Sequence, residues 1–152
     1  MANYCDCDLY VSGNETDIKT FLEYARGEDE GQPLLLDFRR FIPEPDREDQ
    51  DWWRSQILER WGTRTNAMDA VIDSGLEEYP QYADGHRAIK FRFFTKWSPP
   101  LPVVLSAARR FRALSFTLVY YEAGMAFHGR FTCKAGVPVE DLVADYYGPR
   151  GG

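Results

Sequence analysis

The sequence lacks the long apolar segments that a membrane protein needs. No apolar run approaches the roughly 20 residues that a helix requires to cross a bilayer, and residues 1–13 contain no basic region followed by an apolar region. We therefore expect no membrane span, no secretory signal and a cytoplasmic location. Cysteine is also scarce, with three residues in the chain. An odd number of thiols in a cytosolic chain predicts reduced cysteines and no disulfide framework.

Basic side chains are in the minority, since 18 Lys and Arg residues stand against 24 Asp and Glu residues. The net charge of -6 argues against a dedicated nucleic-acid-binding protein, which usually carries a basic footprint. The charge is unevenly divided: residues 1–85 carry 20 acids and 8 bases, whereas residues 86–152 carry 4 acids and 10 bases. The two halves could face each other within the fold, which we favour, or they could form separate acidic and basic faces.

The composition is sufficient for one packed domain. Hydrophobic residues make up 44% of the 152 residues and aromatic residues 15%, which excludes a disordered chain. A chain of this length is typical of a single domain. We therefore treat residues 1–152 as one domain.

The segment Lys90–Arg112 organises the rest of the chain. Its first residues alternate basic and aromatic side chains, a pattern that favours a β-strand. Ser98-Pro99-Pro100 ends the strand, because proline has no backbone N–H to donate, and Pro102 fits the first turn of a helix. The apolar side chains that follow recur at helical spacing, namely Leu101, Val104, Leu105 and Ala108. We expect this helix to fold back on its own sheet, with Phe93 and Leu105 in one interior.

A second strand–helix unit is predicted at the N-terminus. Asp8–Ser12 alternates apolar and polar residues, and Asn14 or Thr16 can cap the helix that follows. The core-facing stripe of this helix is predicted to be Ile18, Phe21, Leu22 and Ala25. Leu34–Ile42 is predicted to be the next extended strand.

The remaining segments complete an α+β fold. Trp52–Trp61 is predicted to be helical, Leu114–Tyr121 and Met125–Cys133 to form a hairpin, and Val139–Tyr147 to form a short final helix. This order predicts a ferredoxin-like split β-α-β domain. Its antiparallel sheet would carry two helices on one face, with an inserted helical and aromatic segment at about residues 43–86.

Several short segments occur in an order typical of a known family. They are Asn3-Tyr4-Cys5, Val11-Ser12-Gly13, Phe38-x-x-x-Ile42-Pro43-x-Pro45, Trp61-Gly62-Thr63, Asn66-Ala67, Trp97-Ser98-Pro99-Pro100, the run 121–127 and Gly129. The series resembles the uncharacterised plasmid and phage family that carries a YubB-type ferredoxin-like domain. The resemblance implies that fold and carriage on mobile genetic elements, and it supplies no established activity. The acidic run 44–51 departs from the family, which usually has apolar or basic residues there.

The run 44–51 is the first candidate site. Its five acids stand against Arg47 alone, and they are Glu44, Asp46, Glu48, Asp49 and Asp51. With Glu28-Asp29-Glu30 and Glu77-Glu78, this run could imitate the phosphate ladder of a nucleic acid and occupy a basic groove on another protein. The alternative is a solvated loop. Our leading hypothesis is a non-enzymatic protein of a plasmid or phage that presents this surface to a protein partner, such as a nucleic-acid-binding defence factor of the host.

A second candidate is a groove lined by Trp61, Thr63, Asn66 and Trp97. Tryptophan supplies a large contact area together with one hydrogen-bond donor, which suits a binding groove. The alternative, which we favour, is that the tryptophans seal one face of the sheet.

A nucleic-acid-binding module is the rival function. Six basic residues of the C-terminal half could form a modest basic surface, namely Lys96, Arg109, Arg110, Arg112, Arg130 and Lys134. With Phe91, Phe93 and Phe116 they are reminiscent of sheets that stack single-stranded RNA bases on aromatic rings. The signature run of such domains is absent from the sequence, so this function ranks second.

Catalytic and metal sites are weakly indicated. Cys5-x-Cys7 could bind zinc with Cys133, His86 or His128, but its spacing is shorter than zinc sites usually show, and buried thiols are the favoured alternative. His128 and Glu122 could form an acid–base pair, yet no nucleophile accompanies them. We therefore predict no enzyme activity, no metal and no cofactor.

Overall fold

The computed structural model describes residues 3–46, 48, 50–74 and 86–145. Within these residues the strands are β1 (Tyr4–Asn14), β2 (Gly27–Asp29), β3 (Gln32–Leu34), β4 (Met68–Ser74), β5 (His86–Lys96), β6 (Ser115–Glu122), β7 (Phe127–Lys134) and β8 (Val137–Asp145). The helices are α1 (Glu15–Ala25), α2 (Gln50–Trp61) and α3 (Leu101–Arg110), together with a 3-10 turn at Phe38–Arg40.

Six strands form one antiparallel sheet in the order β4-β5-β1-β6-β7-β8. Strand β1 lies in its interior, antiparallel to β5 on one side and to β6 on the other. In the unit β5–α3–β6, the two strands therefore lie on either side of β1. In the unit that starts with β1 and α1 and ends with β4, the two strands lie on either side of β5. Two interlocked β-α-β units of this kind define the ferredoxin-like fold, which confirms the predicted fold class.

The second strand of the main sheet is β4 and not the predicted strand Leu34–Ile42. Among the described residues, Gln32–Leu34 pairs only with β2, in a separate two-stranded sheet, and Phe38–Arg40 forms the 3-10 turn. The turn is favoured because the side chain of Asp37 accepts a hydrogen bond from the backbone N–H of Arg39. The region 43–86, predicted to be an insert, thus contributes both α2 and a strand of the sheet.

The chain after β7 forms a strand, so the predicted helix Val139–Tyr147 was wrong over its described part. Ala135 and Gly136 both adopt positive φ angles, of 53° and 76°. Two consecutive residues in this conformation make the tight turn that suits a β-hairpin. Strand β8 therefore returns antiparallel along β7. Tyr146 and Tyr147 lie outside the described residues.

The core lies between one face of the sheet and the helices. Phe21 of α1 is 1% exposed, and its ring lies 5.3 Å from that of Phe116 and 6.1 Å from that of Phe91. Phe93 is buried and Leu105 packs against the same core, as predicted from the sequence. The predicted stripe of α1 is also confirmed: Ile18, Phe21 and Ala25 are buried and Leu22 packs on the core. None of the helices in the described part of the chain is long and apolar enough to cross a bilayer.

Candidate functional site

A polar network around Asp37 joins the 3-10 turn to the start of β4. The Asp37 carboxylate accepts hydrogen bonds from Nε of Arg39 at 2.9 Å and from Nδ2 of Asn66 at 2.9 Å. Oδ1 of Asn66 accepts hydrogen bonds from the backbone N–H groups of Phe38, at 2.8 Å, and Ala67, at 2.9 Å. Asn66 therefore uses both ends of its amide to hold two chain segments together.

The network favours the ionised form of Asp37. Burial on its own raises the pKa of this carboxyl group, because a charged group is disfavoured away from water. The hydrogen bonds from Arg39 and Asn66 outweigh that effect, so the pKa of Asp37 lies below its ordinary value. Asp37 is thus a stable anion that can fix the position of the Arg39 side chain.

Arg39 extends from this network to two acidic segments. Its Nη1 lies 3.7 Å from a carboxylate oxygen of Asp29 and 3.9 Å from one of Glu44. Nη2 also donates a hydrogen bond to the carbonyl of Glu28 at 2.6 Å. Arg39 therefore contacts both the β2–β3 hairpin and the start of the run 44–51, so these two acidic segments lie next to each other.

These two segments form what we call the acidic surface, which comprises Glu28, Asp29, Glu30, Glu44, Asp46, Glu48 and Asp51. Glu44 is half-buried beside Arg39, and the other members are exposed. The side chain of Asp51 is 98% exposed, with Arg54 at 3.9 Å. Oδ1 of Asp46 accepts the backbone N–H of Glu48 at 3.2 Å. Asp49, Glu77 and Glu78, which we also predicted to contribute, lie outside the described residues.

The predicted groove is present only in part. Trp61 and Asn66 line a cavity of about 220 Å³ next to the acidic surface, together with Asp29, Arg39, Glu44, Trp53, Arg64 and Thr65. Trp61 is 2% exposed, and its indole N–H donates to the carbonyl of Ile42 at 2.9 Å. The indole N–H of Trp61 is therefore already used within the fold and is not available to a ligand.

Thr63 and Trp97 do not line this cavity. Thr63 is buried, and its hydroxyl donates to the carbonyl of Lys96 at 2.9 Å. Trp97 is 39% exposed and adopts a φ of 73°, which is unusual for a bulky residue. Its backbone N–H donates to the carbonyl of Asn3 at 2.9 Å. Both residues therefore shape the turn that leads from β5 to α3.

The predicted base-stacking residues face the core. Phe91, Phe93 and Phe116 are at most 1% exposed, so their rings cannot stack on nucleic-acid bases without opening the fold. Two of the six predicted basic residues are engaged by other side chains of the fold. Arg110 at the end of α3 lies over the ring of Tyr24 at 4.3 Å, whereas Arg130 of β7 contacts Glu140 of β8 at 3.7 Å.

The three cysteines do not converge on a metal site. Cys5 and Cys7 are buried, with their sulfur atoms 4.0 Å apart. Burial and the neighbouring Cys5 hold the pKa of the Cys7 thiol well above its ordinary value. Cys5 pairs with Glu122 of β6, whereas Cys133 pairs with Phe116, at the other end of that strand. Among the residues that the structure describes, no group of three or more His, Cys, Asp and Glu side chains could hold a metal ion.

Glu122 and His128 do not form the acid–base pair that we considered. Glu122 is buried, and its carboxylate accepts the backbone N–H groups of Gly124 at 2.9 Å and Met125 at 2.8 Å. His128 pairs with Tyr121, the preceding residue of β6, and the two rings stack at 6.2 Å. Because neighbouring residues of a strand point to opposite faces, the two side chains are on opposite sides of the sheet.

Asp37 and Arg39 are the two residues of the site that were not predicted from the sequence. Their Asp-x-Arg spacing is short and common, and neither residue lies in a recognised motif. A signal was available in the Asp at the start of a turn, since this residue type often accepts a hydrogen bond from the backbone two residues later. Its long-range partner Asn66 could not be read from the sequence.

The topology defines a ferredoxin-like α+β protein, and comparison with known families agrees. The chain belongs to the family described as the ferredoxin-like domain in Api92-like protein, whose model matches residues 61–147. This match begins at the end of α2 and runs through β8. No curated protein and no solved structure matches the chain. The predicted membership of a ferredoxin-like domain family is therefore confirmed.

Proposed function

We propose that this chain is a non-enzymatic interaction protein that presents the acidic surface to a basic surface of a protein partner. The partner would be a nucleic-acid-binding protein, such as a defence or replication factor. We further propose that the chain acts in the cytoplasm, is encoded on a plasmid or phage and carries a YubB-type domain, as the resemblance implies.

The observation that supports this proposal is the bridge made by Arg39. One guanidinium lies within 4.0 Å of both Asp29 and Glu44, so it joins two acidic segments while contributing only one positive charge. The exposed carboxylates around it leave the surface strongly negative. A fixed cluster of this kind attracts a basic groove at long range, as the phosphates of a nucleic acid do.

The ionic-strength dependence of binding is the first test. Exposed charges are screened over about 8 Å at physiological salt and about 3 Å at 1 M. We expect the partners that the chain captures from a host lysate at low salt to be released at high salt and to be displaced by added duplex DNA. Capture that ignores both salt and DNA would contradict the proposal.

A pair of matched variants localises the effect. The first replaces Glu44 and Glu48 by Gln and Asp46 and Asp51 by Asn, and it should lose the DNA-displaceable partners. The control removes four charges elsewhere, by Glu15→Gln, Asp17→Asn, Glu23→Gln and Glu59→Gln in α1 and α2, and should retain those partners. If both variants capture the same proteins as the wild type, the acidic surface is not the binding site.

Gel-shift assays separate this proposal from the rival nucleic-acid module. The wild-type chain should not shift single- or double-stranded DNA or RNA at physiological salt, because its acidic surface repels phosphates. A shift that the charge-neutralised variant leaves unchanged would favour the rival function.

A further inference from the structure

Strand β8 forms one outer edge of the main sheet. It pairs with β7 on its inner side, and among the described residues no strand pairs with its outer side. Its pairing with β7 is regular from the pair Phe127 and Asp145 to the pair Thr132 and Glu140, and the register shifts only near the turn between the two strands. A regular outer strand presents a row of unpaired backbone N–H and C=O groups, which is a template for another strand.

The side chains of β8 are unusually exposed and apolar. Eight of its nine residues are exposed, and Glu140 is the exception. The exposed fractions are 52% for Val137, 57% for Val139, 58% for Leu142 and 64% for Val143. A partner strand laid along β8 would cover part of this apolar area on both faces of the sheet.

The charge of β8 indicates which strand would fit. Glu140, Asp141 and Asp145 are its only charged residues. Edge-to-edge pairing of two copies would bring six carboxylates together with no base from either strand, and like charges opposite each other destabilise a sheet. Asp141 and Asp145 share one face of β8, because they are four residues apart, and an extended segment in which Lys or Arg alternates with apolar residues would place its positive charges against these two carboxylates.

We propose that the free edge of β8 binds an extended segment of a protein partner by strand addition, and that this segment alternates basic and apolar residues. Backbone hydrogen bonds would supply the affinity, and the carboxylates and exposed valines would select the sequence. This edge is roughly 24 Å from β4, given the spacing of about 4.8 Å between strands. It is therefore a second site, separate from the acidic surface near the opposite edge.

The test uses the full chain and fluorescent ten-residue peptides. An acetylated peptide of alternating Lys and Val should bind, measured by fluorescence anisotropy. A peptide of alternating Glu and Val should bind at least tenfold more weakly because of charge. The Lys–Val peptide with alternate backbone nitrogens methylated keeps its charge but loses donors along one edge, and it should also bind at least tenfold more weakly.

Variants of the chain locate the peptide. Asp141→Lys with Asp145→Lys should reduce binding of the Lys–Val peptide at least tenfold, and the charge-neutralised acidic surface should leave it unchanged. Circular dichroism checks that each variant is folded, and Leu142→Lys serves as an independent edge variant with the same expected loss.

Equal binding of the methylated peptide, loss of binding only in the acidic-surface variant, or no binding at all would overturn the proposal. So would dimerisation in analytical ultracentrifugation that Leu142→Lys abolishes, since a second copy would then occupy the edge.

Discussion

The two outer strands of the sheet differ in how they would meet another strand. Strand β4 pairs irregularly with β5, with register shifts between Met68 and Val71 and between Ile72 and Ser74. Its residue Asp69 also adopts a positive φ of 54°. Strand β8 is regular over most of its length and exposes valine and leucine side chains.

This difference means that bulges interrupt the β4 edge, whereas residues 140–145 of β8 pair with β7 without a register shift. Bulges twist an edge and interrupt the row of backbone groups that a second strand would need. On β4 they are accompanied by ion pairs, since Asp73 lies 3.3 Å from Lys90 and 3.9 Å from Arg92 of β5. Strand β4 is thus tied to β5 by two ion pairs of Asp73, whereas β8 is held to β7 by backbone pairing and by the contact of Arg130 with Glu140.

The largest expected effect is a loss of stability on the β4 side of the molecule, where Trp61 ends α2 close to the start of β4. Trp61→Ala should reduce the free energy of unfolding by about 3–5 kcal/mol, because it leaves a cavity in the core. The ring of Trp61 packs at 5.7 Å from that of Phe38 and is 2% exposed. Urea denaturation measures the change. Trp52→Ala, at a residue that is 45% exposed, should change it by less than about 0.5 kcal/mol, and equal losses would contradict this account.

The next effect concerns the β8 side. Gly129 of β7 has no side chain, and an added Cβ would meet the hydroxyl of Tyr120 and the backbone carbonyl of Leu142 in β8. Gly129→Ala should therefore destabilise the fold by about 1–3 kcal/mol through overpacking. Hydrogen exchange should show faster opening of β8 than of β4. Uniform loss of protection across the sheet would show that β8 is not the weaker side.

A smaller effect tests the polar network near β4. Because the pKa of Asp37 is lowered on folding, its ionised form stabilises the protein above the unfolded pKa of about 3.9, and this contribution is lost as pH falls through the lower folded pKa. Asp37→Asn should therefore cost about 1–2 kcal/mol at pH 7 and much less near pH 2. Denaturation curves at both pH values measure this, with the exposed Asp51→Asn as control. A pH-independent cost would exclude the ionic explanation.

The smallest effect compares the two edges directly. Leu142→Lys in β8 and Val71→Lys in β4 replace side chains that are 58% and 51% exposed. Each should change the free energy of unfolding by less than about 0.5 kcal/mol. Only the β8 substitution should alter the binding of extended peptides. A matching loss of binding in the β4 variant would remove the distinction between the edges.

The sequence predicted the parts of the fold whose apolar spacing is regular. The alternation in β1 and β5 and the stripes of α1 and α3 each reflect one buried face, so the period reports the structure. Over Ala67–Ile72 the sequence is compatible with either a short helix or a strand, because the bulges of β4 break the alternation. The predicted helix Val139–Tyr147 overlaps β8, where Val139, Leu142 and Val143 have a spacing that also suits a helix, but these side chains are exposed in the structure and their spacing reports no buried face.

The acidic surface was predictable only as a list of carboxylates. Their abundance is visible in the sequence, but the guanidinium of Arg39 that joins Asp29 to Glu44 is held by Asp37, which in turn is held by Asn66. Such a chain of contacts depends on how the 3-10 turn packs on the start of β4. Local patterns carry no record of that packing.

The interior position of β1 has a consequence for synthesis on the ribosome. Leu9 pairs with Phe91 on one side and with Leu118 on the other, so β1 cannot complete its pairing until β5 and β6 have been translated. During that delay its apolar face has no sheet to join, and such exposed segments are prone to associate with other chains. A nascent chain stalled before β5 should therefore be a substrate for chaperones, and release should follow once β6 has been translated.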